Sequence, residues 1–348
     1  MIVLRPYFVI DTFFAALTDD MHVWVSGQSE TGALGLGKSK LSVQTPEKLP
    51  STSNIASVSC GVDTLALISL DGTLSVSGFL PNGEQSFEPS SYSWEFTGKV
   101  VSVSFGRTFC ILVTEDKWTE VWSWGLGTTG QLGLGSNIEH APVPTTIDAL
   151  GGLQISSVSV SETNVLALTS ESEIYVWGSN TAKATGTGSS EPFVSTPTQY
   201  KGLEGKDVLS IACGNEFFYA FVGCGEFYCW GKNGDGMLGK TFFAELVPCL
   251  KSIDALDIQC GGNYCIALTQ TGSVHSWGNN SQHQTGHERT NTISKPTKIK
   301  ALDSAEILQV CTAPAAAAAL HNAGNANTFA SRVSSAKGLM EENVRLSV

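Results

Sequence analysis

The residues best suited by type and spacing to do chemistry fall in four short motifs of a 348-residue chain. Gly125-x-Gly127-x-x-Gly130 follows a strand-like run, the arrangement with which a dinucleotide-binding loop brings its backbone up to a pyrophosphate. That use requires a helix N-terminus behind the last glycine. No helix-forming run follows Gly130, and related turns recur at Gly32 to Gly37. Cys224 with Cys229, and Cys260 with Cys265, could offer thiolates to a metal, but their spacing is not that of a zinc knuckle. Cys60, Cys213 and Cys260 instead share one position of a repeat, where small core residues are expected. His283 and His287 stand four apart with neither a helical context nor an intervening carboxylate, so they are expected to be solvated loop residues. No Gly-x-Ser-x-Gly elbow, paired-carboxylate signal or Lys-bearing phosphate loop is present. The sequence therefore predicts no catalytic residue, no metal site and no cofactor.

The elements that must position any site are announced by a repeat. Seven small-plus-apolar couplets close buried-looking strands: Ala16-Leu17, Ala66-Leu67, Leu112-Val113, Ala167-Leu168, Ala220-Phe221, Ala267-Leu268 and Ala319-Leu320. After each of the first six comes a short strand ending in glycine, at Gly27, Gly78, Gly125, Gly178, Gly231 and Gly278. A period of about fifty residues, built of short strands and Gly-rich turns, points to units that bury their apolar faces against one another. Strands nearest the axis of such a ring have least room, which accounts for the recurring Ala, Ser, Cys and Gly. Prolines at 46, 197, 248 and 296 mark strand starts or edges, since proline cannot donate to a ladder.

Composition agrees. Hydrophobic residues make up 42% and charged residues 15%, enough for a sizeable core, and 36 glycines supply tight turns. A formal charge of -12 with no basic patch argues against nucleic acid, whose binding rests on neutralised phosphates, and favours basic or mixed-charge protein surfaces. Nine cysteines, an odd count, favour a reducing compartment, with the cytoplasm expected and the nucleus as the alternative. The apolar start around Phe8 to Leu17 is interrupted by Asp11 and is better explained as the first repeat strand than as a leader, and no segment has the apolar length to span a bilayer.

The run Trp124-Gly125-Leu126-Gly127-Thr128-Thr129-Gly130-Gln131-Leu132-Gly133-Leu134-Gly135, with Cys-Gly starts at Cys60-Gly61, Cys213-Gly214 and Cys260-Gly261, resembles the regulator of chromosome condensation repeat family. The resemblance covers residues 8 to 320 and implies an all-β, seven-bladed β-propeller. The last blade is then either degenerate or closed by the N-terminal strand. The corresponding domain reading is a propeller over residues 1–320, with 321–348 as a degenerate closing blade or a flexible tail. The namesake member releases nucleotide from a small nuclear GTPase through one face of its ring, and a His often follows the Cys position by four residues. Here the matching residues are Phe13, Phe109, Asn164, Phe217 and Tyr264, with Asp63 or Thr64 in one shorter unit.

Function is expected in the connections. Arg107, Glu162 and Glu216, beside the Cys-Gly turns, are expected to project from one rim as a mixed-charge docking surface. The excursion from Phe79 to Lys99 brings Glu88, Tyr92, Trp94, Glu95 and Phe96, a composition of interface hot spots. It is read either as a binding loop or as outer strands of the second blade. Trp118 tips a long hairpin and is the remaining protein-binding candidate. The expected function is a non-catalytic, monomeric propeller that binds another protein as adaptor or regulatory subunit. Nucleotide exchange on a small GTPase is the alternative.

Overall fold

The computed structural model describes residues 4–9, 13–18, 20–50, 52, 54–79, 84–91, 96–223, 225–234, 245–246, 250, 253–288, 290–303, 307–312, 317–321, 325–329 and 344–345. Their strands form seven four-stranded antiparallel sheets, each contiguous in sequence. Sheet one contains β1 (Leu4–Val9), β2 (Phe13–Thr18), β3 (Val23–Gln28) and β4 (Ser42–Lys48). Sheet two contains β5 (Ile55–Gly61), β6 (Thr64–Ser69), β7 (Leu74–Phe79) and β8 (Gln85–Ser91). Sheet three contains β9 (Lys99–Phe105), β10 (Phe109–Glu115), β11 (Thr119–Leu126) and β12 (His140–Thr146). Sheet four contains β13 (Ile155–Val160), β14 (Asn164–Thr169), β15 (Ile174–Ser179) and β16 (Phe193–Tyr200). Sheet five contains β17 (Val208–Cys213), β18 (Phe217–Val222), β19 (Glu226–Gly231) and β20 (Glu245–Leu246). Sheet six contains β21 (Ala255–Cys260), β22 (Tyr264–Thr269), β23 (Val274–Gly278) and β24 (Ile293–Lys298). Sheet seven contains β25 (Ile307–Thr312), β26 (Ala317–His321), β27 (Asn325–Phe329) and β28 (Val344–Arg345).

First strands of successive sheets neighbour one another all the way round, and β1 lies beside β25, so these strands ring a central axis. Second strands such as β14 and β22 are buried at every residue because a sheet covers each side. They therefore read as continuous apolar runs, not as alternating ones. Outermost strands, which are more exposed than the inner ones except at β16, carry Pro46, Pro89, Pro142, Pro144, Pro197 and Pro296, where no further ladder asks for an N–H. Pro248 lies outside the described residues. The core sits between the sheets; one buried cluster joins Ile68 and Val76 of sheet two to Phe109, Val121 and Trp124 of sheet three and to Val165 and Trp177 of sheet four.

The all-β propeller expectation holds, with two corrections. Blades carrying the full repeat number six, not seven. The glycine ending the third strand has φ between +100° and +117° in sheets one to six, and β27 in sheet seven has no such glycine. Closure does not use the N-terminal strand as a ladder partner for the final unit: β1 pairs with β2, β25 pairs with β26, and the two sheets meet face to face. Val344–Arg345 pairs with β27, which places part of the expected tail in a sheet. The excursion from Phe79 to Lys99 supplies β8, an outer strand of its own sheet, as the plainer of its two readings had it.

Candidate protein-binding faces

Strand direction sorts every connection onto one of two faces. Turns between first and second strands, and the long loops between third and fourth, open on a first face. Turns between second and third strands, and the links from one sheet to the next, open on a second. Arg107, Glu162 and Glu216 lie in turns of the first face, between β9 and β10, β13 and β14, and β17 and β18. Trp118 lies between β10 and β11, and Phe96 leads into β9, so both belong to the second face. The three turn residues expected on one rim thus share a face, and Phe96 and Trp118 lie on the other. Glu88 is exposed on β8 at the outer edge, and Tyr92, Trp94 and Glu95 lie outside the described residues.

At the axis the first face opens into a cavity of about 300 Å3, walled by the ends of the inner strands of sheets two to seven and their turns. Arg107 is exposed and half-buried Glu162 faces the same mouth, giving it both signs of charge. The turns are tied together. The Asn215 side-chain amide donates to Glu162 Oε2 at 3.0 Å and its Oδ1 accepts from the Glu162 N–H at 3.2 Å, while the Asn215 N–H donates to the Gly262 carbonyl at 2.9 Å. Deeper in, Ser159 Oγ accepts from the Cys213 N–H at 3.0 Å, and Thr312 Oγ1 donates to the Cys260 carbonyl at 2.8 Å. Hydrogen bonds thus link sheets four, five, six and seven around the mouth. Sequence reasoning missed Asn215; the signal available was an amide directly after Cys213-Gly214, in a turn already singled out.

Where the family often has histidine, Phe13, Thr64, Phe109, Asn164, Phe217 and Tyr264 are all buried. Each pairs in register with the glycine ending its third strand, which resolves the shorter unit in favour of Thr64. The preceding glycines leave room for the aromatic rings: a Cβ on Gly106 or Gly214 would stand 2.0 Å from Phe109 or Phe217. These side chains pack between sheets and offer nothing to the mouth.

Glu216 corrects the expectation of a projecting carboxylate. It is 8% exposed, with φ of +63°, and its Oε1 accepts from Ser179 Oγ at 2.6 Å, from the Thr181 N–H at 3.1 Å and from Thr181 Oγ1. Oε2 pairs with Lys232 Nζ at 2.9 Å. Burial pushes its pKa up, but the bonds from Ser179, Thr181 and Lys232 outweigh it and hold the carboxyl below its ordinary range. Glu216 fastens the loop of sheet four to sheet five and is not free to dock.

Phe96 is half-buried and meets Trp122 edge-on at 5.5 Å, so its ring packs sheet three's edge. Trp118 is 59% exposed above a groove that Glu120 and Asp148 also line. The Gly125-to-Gly135 segment enters no helix. The Gly135 N–H donates to the Ser195 carbonyl at 2.9 Å and Gly133 stands against the Trp177 indole, so the loop locks sheet three onto sheet four. Cys260 and Cys265 lie opposite each other with sulfurs 3.9 Å apart, burial pushing the Cys260 thiol up. Cys224 is outside the described residues. His283 and His287 are not freely solvated: His283 Nδ1 lies 3.1 Å from the His287 carbonyl, and His287 Nε2 lies 3.0 Å from Ser276 Oγ.

Sheets arrayed about an axis, with short turns converging on its mouth, define the class as a β-propeller. Residues 22–68, 120–168, 171–221 and 271–320 match the regulator of chromosome condensation (RCC1) repeat, and 256–284 match a second form of it. The chain belongs to this family. It is 32% identical over 237 residues to the human E3 ubiquitin-protein ligase HERC2, covering 64% of this chain and 5% of that protein. It is 38% identical over 143 residues to the Arabidopsis thaliana ultraviolet-B receptor UVR8, covering 40% of this chain and 31% of that one. It spans no more than 33% of the curated relatives it matches. Human WBSCR16 superimposes with a TM-score of 0.77 at 21% identity over 89% of this chain and 84% of that chain. Prp20p of Saccharomyces cerevisiae, described with its binding properties to Gsp1p and histones, gives 0.75 at 16% over 95% and 83%.

Proposed function

We propose that this chain is a non-catalytic protein-binding propeller, an adaptor or regulatory subunit that engages its partner through the first face, with β25–β28 serving as a seventh, closing blade. The observation that carries this reading is the hydrogen-bonded chain from Glu162 through Asn215 to Gly262. It fixes turns from three sheets before any partner arrives, and a surface ordered in advance loses less entropy on binding. Arg107, exposed on the same mouth, supplies the charge that gives such a surface selectivity. Buried free thiols at Cys110, Cys213 and Cys265 support a reducing compartment such as the cytoplasm.

Nucleotide exchange on a small GTPase is the second reading, favoured by the likeness to Prp20p and weakened by the buried Phe, Tyr, Thr and Asn at the histidine positions. Exchange requires tighter binding to the nucleotide-free GTPase than to the loaded one. Release of a fluorescent nucleotide from a panel of purified small GTPases separates the two readings, alongside affinity capture by the intact chain and by Arg107→Glu. The adaptor reading expects captured protein that the variant loses and no accelerated release. Acceleration replaces it with the second reading, and identical capture by both chains removes the first face from the interface.

A further inference from the structure

We infer that the second face carries its own docking surface, at the opposite mouth of the axis, for a basic protein segment bearing large apolar side chains. Inner strands share a device there. Their ladders slip by one residue at the second position, between Ile55 and Ser57, Ile155 and Ser157, Val208 and Ser210, Ala255 and Asp257, and Ile307 and Gln309, with the same slip opposite Val113 and Thr114 in sheet three. A bulge leaves its extra residue unpaired and re-aims the side chain. Elsewhere on the inner strands, apolar residues such as Val208, Ile155 and Ile258 go into the core.

At three of the bulges they do not. Val101 is 42% exposed, Leu209 54% and Leu256 55%, while Ser156 between them in the ring is exposed and small. Because β17 and β21 are neighbours on the axis, Leu209 and Leu256 form an unpartnered apolar step in the mouth. Solvent-facing leucines at adjacent, equivalent positions mark an interaction site more than scattered ones do.

Charge selects the occupant. Asp254 stands two residues before Leu256 and Asp257 directly after it, so carboxylates flank the step, while Asp207, two before Leu209, turns its carboxylate toward Gly223 at the end of β18. The nearby Lys206 lies over the Tyr228 ring, 4.6 Å from its centroid. A segment with apolar side chains for Leu209 and Leu256 and ammonium or guanidinium groups for Asp254 and Asp257 meets both demands, whereas an acidic segment or phosphate-rich polymer is repelled. This surface is independent of the first-face reading.

The test is fluorescence anisotropy of labelled peptides with the full chain: one alternating lysine and leucine, one alternating lysine and serine, one alternating glutamate and leucine. The lysine–leucine peptide is expected to bind and to weaken as salt rises, the other two to bind at least about tenfold more weakly. Leu209→Ser with Leu256→Ser is expected to cost about tenfold or more, and Asp254→Asn with Asp257→Asn to weaken binding and flatten its salt dependence. Glu139→Gln with Glu191→Gln, an equal change of net charge on first-face loops, is expected to leave affinity unchanged. Equal binding of the lysine–serine peptide, equal losses from both charge pairs, or no effect of the leucine substitutions overturns the proposal. So does a concentration-dependent dimer abolished by those substitutions, which would assign the step to a second copy of the chain. Thermal unfolding of each variant establishes that it is folded when read.

Discussion

Gly178 pairs with Asn164, and a Cβ added to it would stand 2.2 Å from the Thr163 carbonyl oxygen, the atom that accepts the Ser179 N–H at 3.0 Å. Gly231 stands in the same relation to the Glu216 carbonyl, at 2.4 Å. The glycine is thus required twice, by φ near +110° and by the approach of a backbone acceptor. Gly178→Ala is expected to cost about 2 kcal/mol, read as a lower urea midpoint at unchanged slope. Glu216 gives a pH signature. Its folded pKa lies below its unfolded one, so its contribution is full above the unfolded value and is lost as pH falls through the folded value. Glu216→Gln should therefore destabilise the chain at neutral pH by about 1–3 kcal/mol, with the gap to wild type narrowing as pH falls through and below the ordinary glutamate range in denaturant titrations. The glycines were legible in the sequence as a period. The role of Glu216 was not, because Ser179 and Thr181 belong to the preceding sheet and only the packed ring brings them to it.

Strands and loops differ in what they hold together. The Trp177 indole is fully buried and donates to the Gln131 carbonyl of the preceding sheet's loop at 2.9 Å. Trp118 has no such burial. Trp177→Ala is expected to cost about 3–5 kcal/mol, while Trp118→Ala should shift stability by no more than about 0.5 kcal/mol, both from chemical denaturation. The couplets and Trp-Gly endings disclosed these strands because each must fit between two neighbours. Faces were harder to read: one strand more or fewer between two residues moves a turn to the other side of the ring. Arg107 and Trp118, eleven residues apart, accordingly ended on opposite faces once β10 stood between them. The bulges left no mark in composition, since Leu209 follows Val208 in what reads as an ordinary apolar pair.

Across the whole molecule, every sheet buries its sides against two others, so none is a self-sufficient unit. Deleting 307–348 strips the cover from β1 and from sheet six and is expected to yield a chain that binds a hydrophobic dye and loses its single sharp thermal transition. The period announced this mutual dependence plainly. How the ring shuts was not legible, because adjacency of β1 and β25 arises from geometry summed over the full circle.

The glycine-rich loops overlap in one direction. The loop of sheet one accepts from Ser77 and Gln85 of sheet two and donates from Gly37 to Phe87, and the loop of sheet three does the same with Trp177 and Ser195 of sheet four. Sheets one and three are thus each laid like a roof tile beneath the next. A ribosome building this chain from its N-terminus leaves such a loop uncovered until the next fifty or so residues emerge, so the nascent protein carries a raw edge there until its successor folds over it.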